Sequence, residues 1–333
     1  MRFDNHVIDI DPAIETARII EMLRREVRQV MRRQGGVVGI SGGVDSAVVL
    51  ALLVRAFGPG HVVALMLNEK DSDPTSAVLA REVARSYGVE PICEDITAAL
   101  EGFGCYARRD AAIRGVFPEY DAAKGYQAKI VLPGGVLEGT LNVFSLVIVT
   151  PEGEEKRKRI PPREYLQIVA ASNFKQRTRM AMLYYHAELR NYAVIGTANR
   201  NEHEQGFFVK YGDGGVDIQP IAHCLKTQVY QLAEYLGVPE AIRTRTSTTD
   251  TYSASCTQEE FFFRLPFEMM DLLWYAQEHN VPLDQVARTM GLTEEQVNNA
   301  FQDLSRKRRT TEYLRMMPLS LAAEASGGRE GES

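Results

Sequence analysis

Cysteine is scarce in this chain of 333 residues: four, at Cys93, Cys105, Cys224 and Cys256, with no CxxC pair among them. That spacing indicates neither a zinc knuckle nor a redox pair, and it fits a reduced, cytoplasmic setting. No apolar run is long enough to cross a bilayer. The opening Met1-Arg2-Phe3-Asp4-Asn5-His6 puts charges where a signal peptide needs an apolar core. There is no internal repeat. Nor is there an excess of positive charge: the net value of -6 argues against non-specific nucleic-acid binding. What remains is ordinary for a soluble protein, 45% apolar and 25% charged residues. The length suffices for one large α/β domain with an insertion, or for two domains.

The most informative stretch also has a lack. Val37 to Ile40 reads as a short buried strand, Ser41-Gly42-Gly43 as a turn, and Asp45-Ser46 enters an apolar helix from Ala47 to Phe57. A strand that breaks at glycines and restarts as a helix gathers backbone N–H groups at the positive end of the helix dipole. Glycines allow close approach of an anion, and the Ser41 and Ser46 hydroxyls add donors. This is a phosphate cradle, yet no lysine follows the glycines as in a P-loop, so neutralising charge must come from elsewhere. Asp45 would repel a phosphate without a cation between them, which makes it a natural Mg²⁺ ligand.

Along the chain, Asp11-Pro12 opens an amphipathic helix over 12–33, with Ile14, Ala17, Ile20, Leu23, Val27 and Val30 at helical spacing. Strands are expected at 61–67 and 89–93, with a helix at 75–87 between them. This alternation implies a doubly wound, mostly parallel sheet with the nucleotide site at the strand C-termini. Residues 102–165 break the rhythm and read as a small β-rich insertion, with strands at 129–133 and 141–150 and the charge run 154–159 as a wet hairpin edge. A helix then runs through Asn173 to Leu189, followed by a strand at 192–197, a helix at 225–236 and further helices over 258–316. The tail from Leu319 is expected to be disordered. The domain reading is therefore 1–101 and 166–318 as two parts of one unit, interrupted by 102–165.

Ser41-Gly42-Gly43-Val44-Asp45-Ser46 matches the SGGxDS loop of the N-type ATP pyrophosphatases, which cleave ATP between the α and β phosphates. Asn173-Phe174-Lys175-Gln176-Arg177-Thr178-Arg179-Met180 and the run from Gly206 to Asp217 resemble signatures of one branch, the NAD synthetases. Gly196-Thr197, Glu202, Pro220 and Lys226-Thr227 continue that pattern. The resemblance covers roughly 12–101 and 165–250 and leaves the insertion outside.

What the resemblance implies is an ammonia-using, AMP-forming ligase. The substrate carboxylate is adenylated by ATP with Mg²⁺, and ammonia displaces AMP to give an amide. Gly39, Ile40, Ser41, Gly42, Gly43, Val44, Asp45, Ser46, Thr197, Lys226 and Thr248 would hold ATP. Asp45 and Glu202 would hold the metal, and Lys226 would contact the triphosphate and stabilise departing pyrophosphate. Arg179, Lys210 and Asp217 would bind deamido-NAD, joined by Arg306 and Lys307 from the basic run 306–309, a run that reads equally as a solvated helix end. Asp213 would orient substrate or accept a proton from ammonia. Phe207 and Phe208 read as core rather than as a stacking platform. The family's homodimer, with a substrate site shared across the interface, is expected as well. With its first strand already at Val37, the chain is expected to lack the glutaminase-type domain of glutamine-using relatives, leaving room for a separate glutaminase subunit. Thiolation of tRNA is disfavoured by the missing CxxC.

Several positions depart from the pattern. Ser247-Thr248-Thr249-Asp250 stands where Pro-Thr-Ala-Asp is usual, the aromatic run Phe261-Phe262-Phe263 replaces an acidic stretch, and Leu67-Asn68-Glu69-Lys70 lacks the usual proline. All lie on the acyl-substrate side. Two rivals follow: the same chemistry on another carboxylate, and a silent nucleotide-binding regulatory module. The rhythm of 286–297 resembles a helix-turn-helix but lacks a recognition helix rich in base-reading residues.

Overall fold

The computed structural model describes residues 3–320 except 133, 140–142, 249–251 and 255, and of 259 and 260 the backbone alone. The expected strand start at Leu141, Thr249-Asp250 of the departing motif, and the tail beyond 320 lie outside the described residues.

Helix α1 (Pro12–Arg24) starts where the sequence predicts, its Asp11 carboxylate accepting from the N–H groups of Ala13 and Ile14. It does not continue to residue 33 as one α-helix, because Arg25–Val30 forms a π turn. The wider turn shifts the following side chains out of phase. Val27 stays buried while Val30 comes to lie 64% exposed, and Ile14 is exposed too.

Next come β1 (Gly36–Gly39), α2 (Val44–Phe57), β2 (Val62–Asn68), α3 (Pro74–Ser86) and β3 (Ile92–Asp95). The last strand begins three residues later than expected, since Pro91 has no N–H to give to a ladder. Two helices follow, α4 (Thr97–Gly102) and α5 (Cys105–Val116), then β4 (Gln127–Val131), β5 (Ser145–Val149) and β6 (Glu155–Arg159). The 29-residue α6 (Pro162–Arg190) leads to β7 (Ala193–Ile195), α7 (Arg200–Gln205), α8 (Lys226–Leu236) and α9 (Glu240–Arg243). The chain closes with α10 (Phe267–Glu278), α11 (Leu283–Met290), α12 (Glu294–Thr310) and α13 (Glu312–Arg315).

The main sheet is parallel, in the order β3-β2-β1-β7. Alternate residues of each strand enter different cores, as the two-residue strand period requires. Val38, Ala64, Met66 and Ile195 pack with α1, α2, α3 and α8, whereas Val37, Leu65, Leu67 and Val194 pack with α4, α5 and α6. Helices on both faces make this the doubly wound α/β sheet the sequence implied. Its middle strand β1 delivers the glycine turn to the carboxyl edge.

The interrupting segment is not β throughout. It opens with α5, whose buried Cys105, Tyr106, Arg109, Ala112 and Ile113 follow helical spacing. Then comes an antiparallel sheet in the order β4-β5-β6. The charged β6 forms its edge, as expected for the run 154–159. This sheet shares a core with Tyr252, Cys256 and Phe261, so it supports the segment that borders a cavity beside the glycine turn. A last cluster unites α10, α11 and α12 with Phe3 and Ile8, and Phe207 packs against it as core.

Candidate active site

The turn after β1 is shaped by packing as well as by backbone freedom. Gly42 has φ +74, and a Cβ there would lie 2.6 Å from the Ser76 carbonyl oxygen on α3, so no side chain fits. Gly43 caps α2 without any side-chain acceptor, leaving first-turn N–H groups of the helix to face outward. Ser46 Oγ donates to the Gly43 carbonyl at 3.0 Å and accepts from Ser41 N at 3.3 Å, which closes the turn on itself.

Asp45 stands in the first turn of α2 with both carboxylate oxygens engaged. Oδ1 accepts from Asn199 Nδ2 at 2.9 Å, and Oδ2 pairs with Lys226 Nζ at 2.5 Å. Lys226 is fully buried at the start of α8. Burial alone would lower its ammonium, but Asp45 and Glu202 outweigh that and raise it. This buried lysine is the cation that the glycine turn lacks.

Glu202 reaches the same place from α7. Its backbone N–H donates to Asn199 Oδ1 and its Oε2 accepts from Asn199 N, a reciprocal cap that fixes the side chain. Oε1 accepts from Gln258 Nε2 at 3.1 Å. Burial, and then the negative charge of Asp45, push its carboxyl up to about 8. Two carboxyl groups side by side, with one lysine paired to Asp45, present oxygen donors only. That donor set suits a hard divalent cation.

Several of these groups border one cavity. Its wall holds Ser41, Gly43, Val44, Asp45, Ser46, Thr197, Glu202 and Thr248, while Gly39, Ile40, Gly42 and Lys226 do not line it, Lys226 reaching it only through Asp45. The wall also carries residues that the sequence reading passed over. Arg245 donates to Asp73 Oδ2 at 2.9 Å and to Ser76 Oγ at 2.8 Å, a second cation beside the turn. Behind the wall, Asp271 on α10 is wholly buried and accepts from Asn201 Nδ2 (2.5 Å), Thr227 N (2.9 Å) and Thr227 Oγ1 (2.8 Å). Asn201 Oδ1 in turn accepts from Lys226 N at 2.9 Å, so α7, α8 and α10 hold the lysine jointly. No sequence signal marked Asp271, which stands in an apolar helix far along the chain.

The residues expected on the substrate side are placed differently. Arg179, on α6, donates to the Leu67 carbonyl at the end of β2 (3.2 Å). Lys210 donates to the carbonyls of Tyr313 and Met316, each at 2.9 Å, and so pins the C-terminal segment. Asp217 accepts from Val194 N at 2.8 Å and from Tyr184 Oη at 3.0 Å, closing the end of β7. Asp213 Oδ1 accepts from Val209 N at 2.7 Å and holds its own turn. Lys307 is buried, donating to the Phe262 carbonyl at 2.8 Å and pairing with Asp303 at 2.9 Å, while Arg306 is exposed. Phe208 stacks on His203.

A second charged cluster lies where β2 ends, at the stretch noted for its missing proline. Lys175, 1% exposed, pairs with Glu69 Oε1 and Asp71 Oδ2, both at 2.8 Å. Arg109 pairs with Asp71 and Asp110, and Tyr106 Oη donates to Glu69 Oε2 at 2.7 Å. Lys175 belongs to the motif quoted from 173–180, but its partners are more than a hundred residues away in sequence.

Known proteins resemble the chain over most of its length. The profile of the family described as NAD synthase matches residues 15–114 and 149–318. An NH(3)-dependent NAD(+) synthetase of Rhizobium meliloti (strain 1021) is 48% identical over 316 residues, 95% of this chain and 94% of that protein. Among solved structures, an NH3-dependent NAD synthetase from Campylobacter jejuni superposes with a TM-score of 0.61 at 21% identity, covering 94% of this chain and all of that one. An NMN synthetase from Francisella tularensis gives 0.58 at 21% identity over 94% of this chain and 99% of that one. At such identity the structural likeness speaks for the fold alone.

Proposed function

The chain belongs to the NAD synthase family, and from that premise we propose that it converts deamido-NAD, ATP and ammonia to NAD, AMP and pyrophosphate. The observation that carries this reading is the meeting of the glycine turn, Asp45 and Glu202 around one cavity, with the buried Lys226 paired to Asp45. A phosphate chain laid on the turn meets outward N–H groups and the Ser41 and Ser46 hydroxyls. Asp45 and Glu202 would hold Mg²⁺, whose charge offsets that of the phosphates. Thr197 and Thr248 line the cavity and offer further hydroxyls to the nucleotide.

The substrate carboxylate oxygen attacks the α-phosphorus, the bond to the β-phosphate oxygen breaks, and pyrophosphate departs. Charge gathers on that leaving group. A buried lysine fixed by three helices stabilises it with little reorganisation, the condition under which such stabilisation is strongest. Arg245 offers a second cation beside the turn. Ammonia then attacks the acyl carbon, AMP leaves, and one proton is lost from nitrogen. Arg179, Lys210, Asp217, Arg306 and Lys307 are assigned to the dinucleotide. For Lys210 and Lys307 this requires exchanging the carbonyl contacts they make in this structure for substrate.

The test is pyrophosphate release with ATP and ammonium, offered deamido-NAD, nicotinate mononucleotide or other carboxylates in turn. Deamido-NAD should give the highest kcat/KM, glutamine should replace ammonium poorly, and Asp45→Asn should abolish release. If nicotinate mononucleotide or another carboxylate is turned over while deamido-NAD is not, the substrate assignment is wrong and the ATP chemistry stands.

We further propose a homodimer through α6, where Tyr185 and Leu189, one turn apart, are 56% and 64% exposed. Sedimentation should show a dimer that Leu189→Glu dissociates.

A further inference from the structure

Among the described residues, one group of unlike ligand-type side chains stands apart from the nucleotide cavity. Glu15, in the first turn of α1, meets His223 and Cys224, in the loop that enters α8, with one ligand atom from each all within 4.8 Å of one another. His223 Nε2 lies 2.6 Å from Glu15 Oε1 and 3.4 Å from Cys224 Sγ. Cys224 is 1% exposed and packed in the main core with Ile221 and Val229, so its sulfur has a fixed seat. The His223 side chain is 42% exposed, which leaves the outer side of the group open to water.

We propose that Glu15, His223 and Cys224 form a binding site for a zinc-class divalent cation, with water as the fourth ligand. One carboxylate oxygen, one imidazole nitrogen and one sulfur make a mixed donor set that suits Zn²⁺ and is wrong for Mg²⁺. Tetrahedral coordination at ordinary zinc distances separates nitrogen from sulfur by about 3.6 Å and nitrogen from oxygen by about 3.3 Å. The Cys224–His223 pair already has nearly that separation. Glu15 must withdraw from His223 by about 0.7 Å to admit the ion, a small movement for a helix-end side chain.

Two further features bear on the site. Burial, followed by the charge of Glu15, pushes the Cys224 thiol up to about 12, so without a metal the sulfur stays protonated and is a poor nucleophile. A reactive-thiol role is thereby disfavoured, whereas a bound metal displaces the proton. Arg18 Nη2 pairs with the same Glu15 oxygen at 3.2 Å, with its side chain 65% exposed, and is the competitor that an incoming cation displaces. The site also touches the frame of the nucleotide cavity. The Cys224 carbonyl accepts from the N–H of Arg200, the first residue of the helix that carries Glu202, and Lys226 follows two residues on. A cation here would brace the loop that presents the buried lysine.

The test uses the full chain, stripped of metal and titrated with Co²⁺ in excess Mg²⁺, which keeps Asp45 and Glu202 from competing. The expected result is one equivalent of tetrahedral Co²⁺ with a thiolate-to-cobalt charge-transfer band, displaced by equimolar Zn²⁺. The band should vanish in Cys224→Ser and weaken in Glu15→Gln. It should weaken at least tenfold in affinity in His223→Ala, a change at an exposed residue that leaves folding intact. It should strengthen in Arg18→Gln and persist in Cys93→Ser, the exposed cysteine. Absence of the band at micromolar Co²⁺, or its survival in both Cys224→Ser and His223→Ala, overturns the site. Pyrophosphate release does not enter this readout, so the outcome is independent of the proposed reaction.

Discussion

Two clusters of charge lie at the carboxyl edge of the same sheet and differ in how their acids are paired. After β2, Glu69, Asp71 and Asp110 each pair with Lys175 or Arg109, and both bases are under 4% exposed. After β1, Asp45 and Glu202 share one lysine and open onto a cavity. The electrostatics follow the pairing. Burial would raise the Asp71 carboxyl, but Lys175 and Arg109 outweigh it and hold the group below its ordinary value, whereas Glu202 is pushed up to about 8. A sealed cluster whose acids are all paired with bases needs nothing further. A cavity-side cluster in which, among the described residues, the Glu202 carboxyl bonds only Asn199 and Gln258 has room for a cation.

The sharpest way to break the comparison is to unbalance the sealed cluster. Lys175→Met should leave Glu69 and Asp71 short of a buried partner and cost about 3–5 kcal/mol of stability. A urea unfolding midpoint reads this directly. Any activity that remains at low temperature should keep a near-normal KM for ATP. A loss under 1 kcal/mol would mean that the cluster is hydrated and the contrast is false.

The matching change in the open cluster is Lys226→Met. Here the expected loss is in turnover, about 10²–10³-fold, equivalent to ~2.7–4 kcal/mol of transition-state stabilisation. Its effect on stability should be less than half that of Lys175→Met, since water and cations can reach Asp45 and Glu202 from the cavity. Equal destabilisation by the two variants would erase the distinction between sealed and open.

The open cluster was the more legible in sequence, for a physical reason. Ser41 to Ser46 act through local geometry, a strand that stops and a helix that starts, and local geometry is written in consecutive residues. The doubly wound sheet was legible for the same reason, from alternating apolar runs and glycine stops. Lys175 and Glu69 stand in stretches the sequence reading quoted, yet their pairing spans 106 residues and is made only by the packing of α6 on the sheet. Asp271 and Arg245 were invisible on the same account: each acts by reaching a helix start that is distant in sequence. The π turn at Arg25–Val30 defeated the periodicity argument, because a period fitted to α1 has no way to register one extra residue per turn. Lys210 and Lys307 show the converse. Their match to a signature says which residue types stand there, while in this structure Lys210 bonds backbone carbonyls and Lys307 a backbone carbonyl and Asp303.

A further predicted effect concerns pH, and it sets the two clusters against each other in one measurement. In the unfolded chain Glu202 titrates near its ordinary value, about 4.3. In the folded, Mg²⁺-free chain burial and Asp45 hold it up to about 8. Between those values the folded chain keeps a proton that the unfolded chain has released, so stability falls as pH rises through the window. The contribution is fully present below about pH 4 and lost above about pH 8. Asp71 has the opposite sign: its folded value is depressed, so its contribution is present above its ordinary range and lost as pH falls. Urea midpoints in chelator should therefore decline from pH 5 to 8 in the wild type. Glu202→Gln should make that decline shallower, while Asp71→Asn should leave it in place and alter the curve only on the acid side. A wild-type slope between pH 5 and 8 that Glu202→Gln leaves unchanged would show that the carboxyl is already ionised there, its charge compensated as fully as that of the paired acids in the sealed cluster.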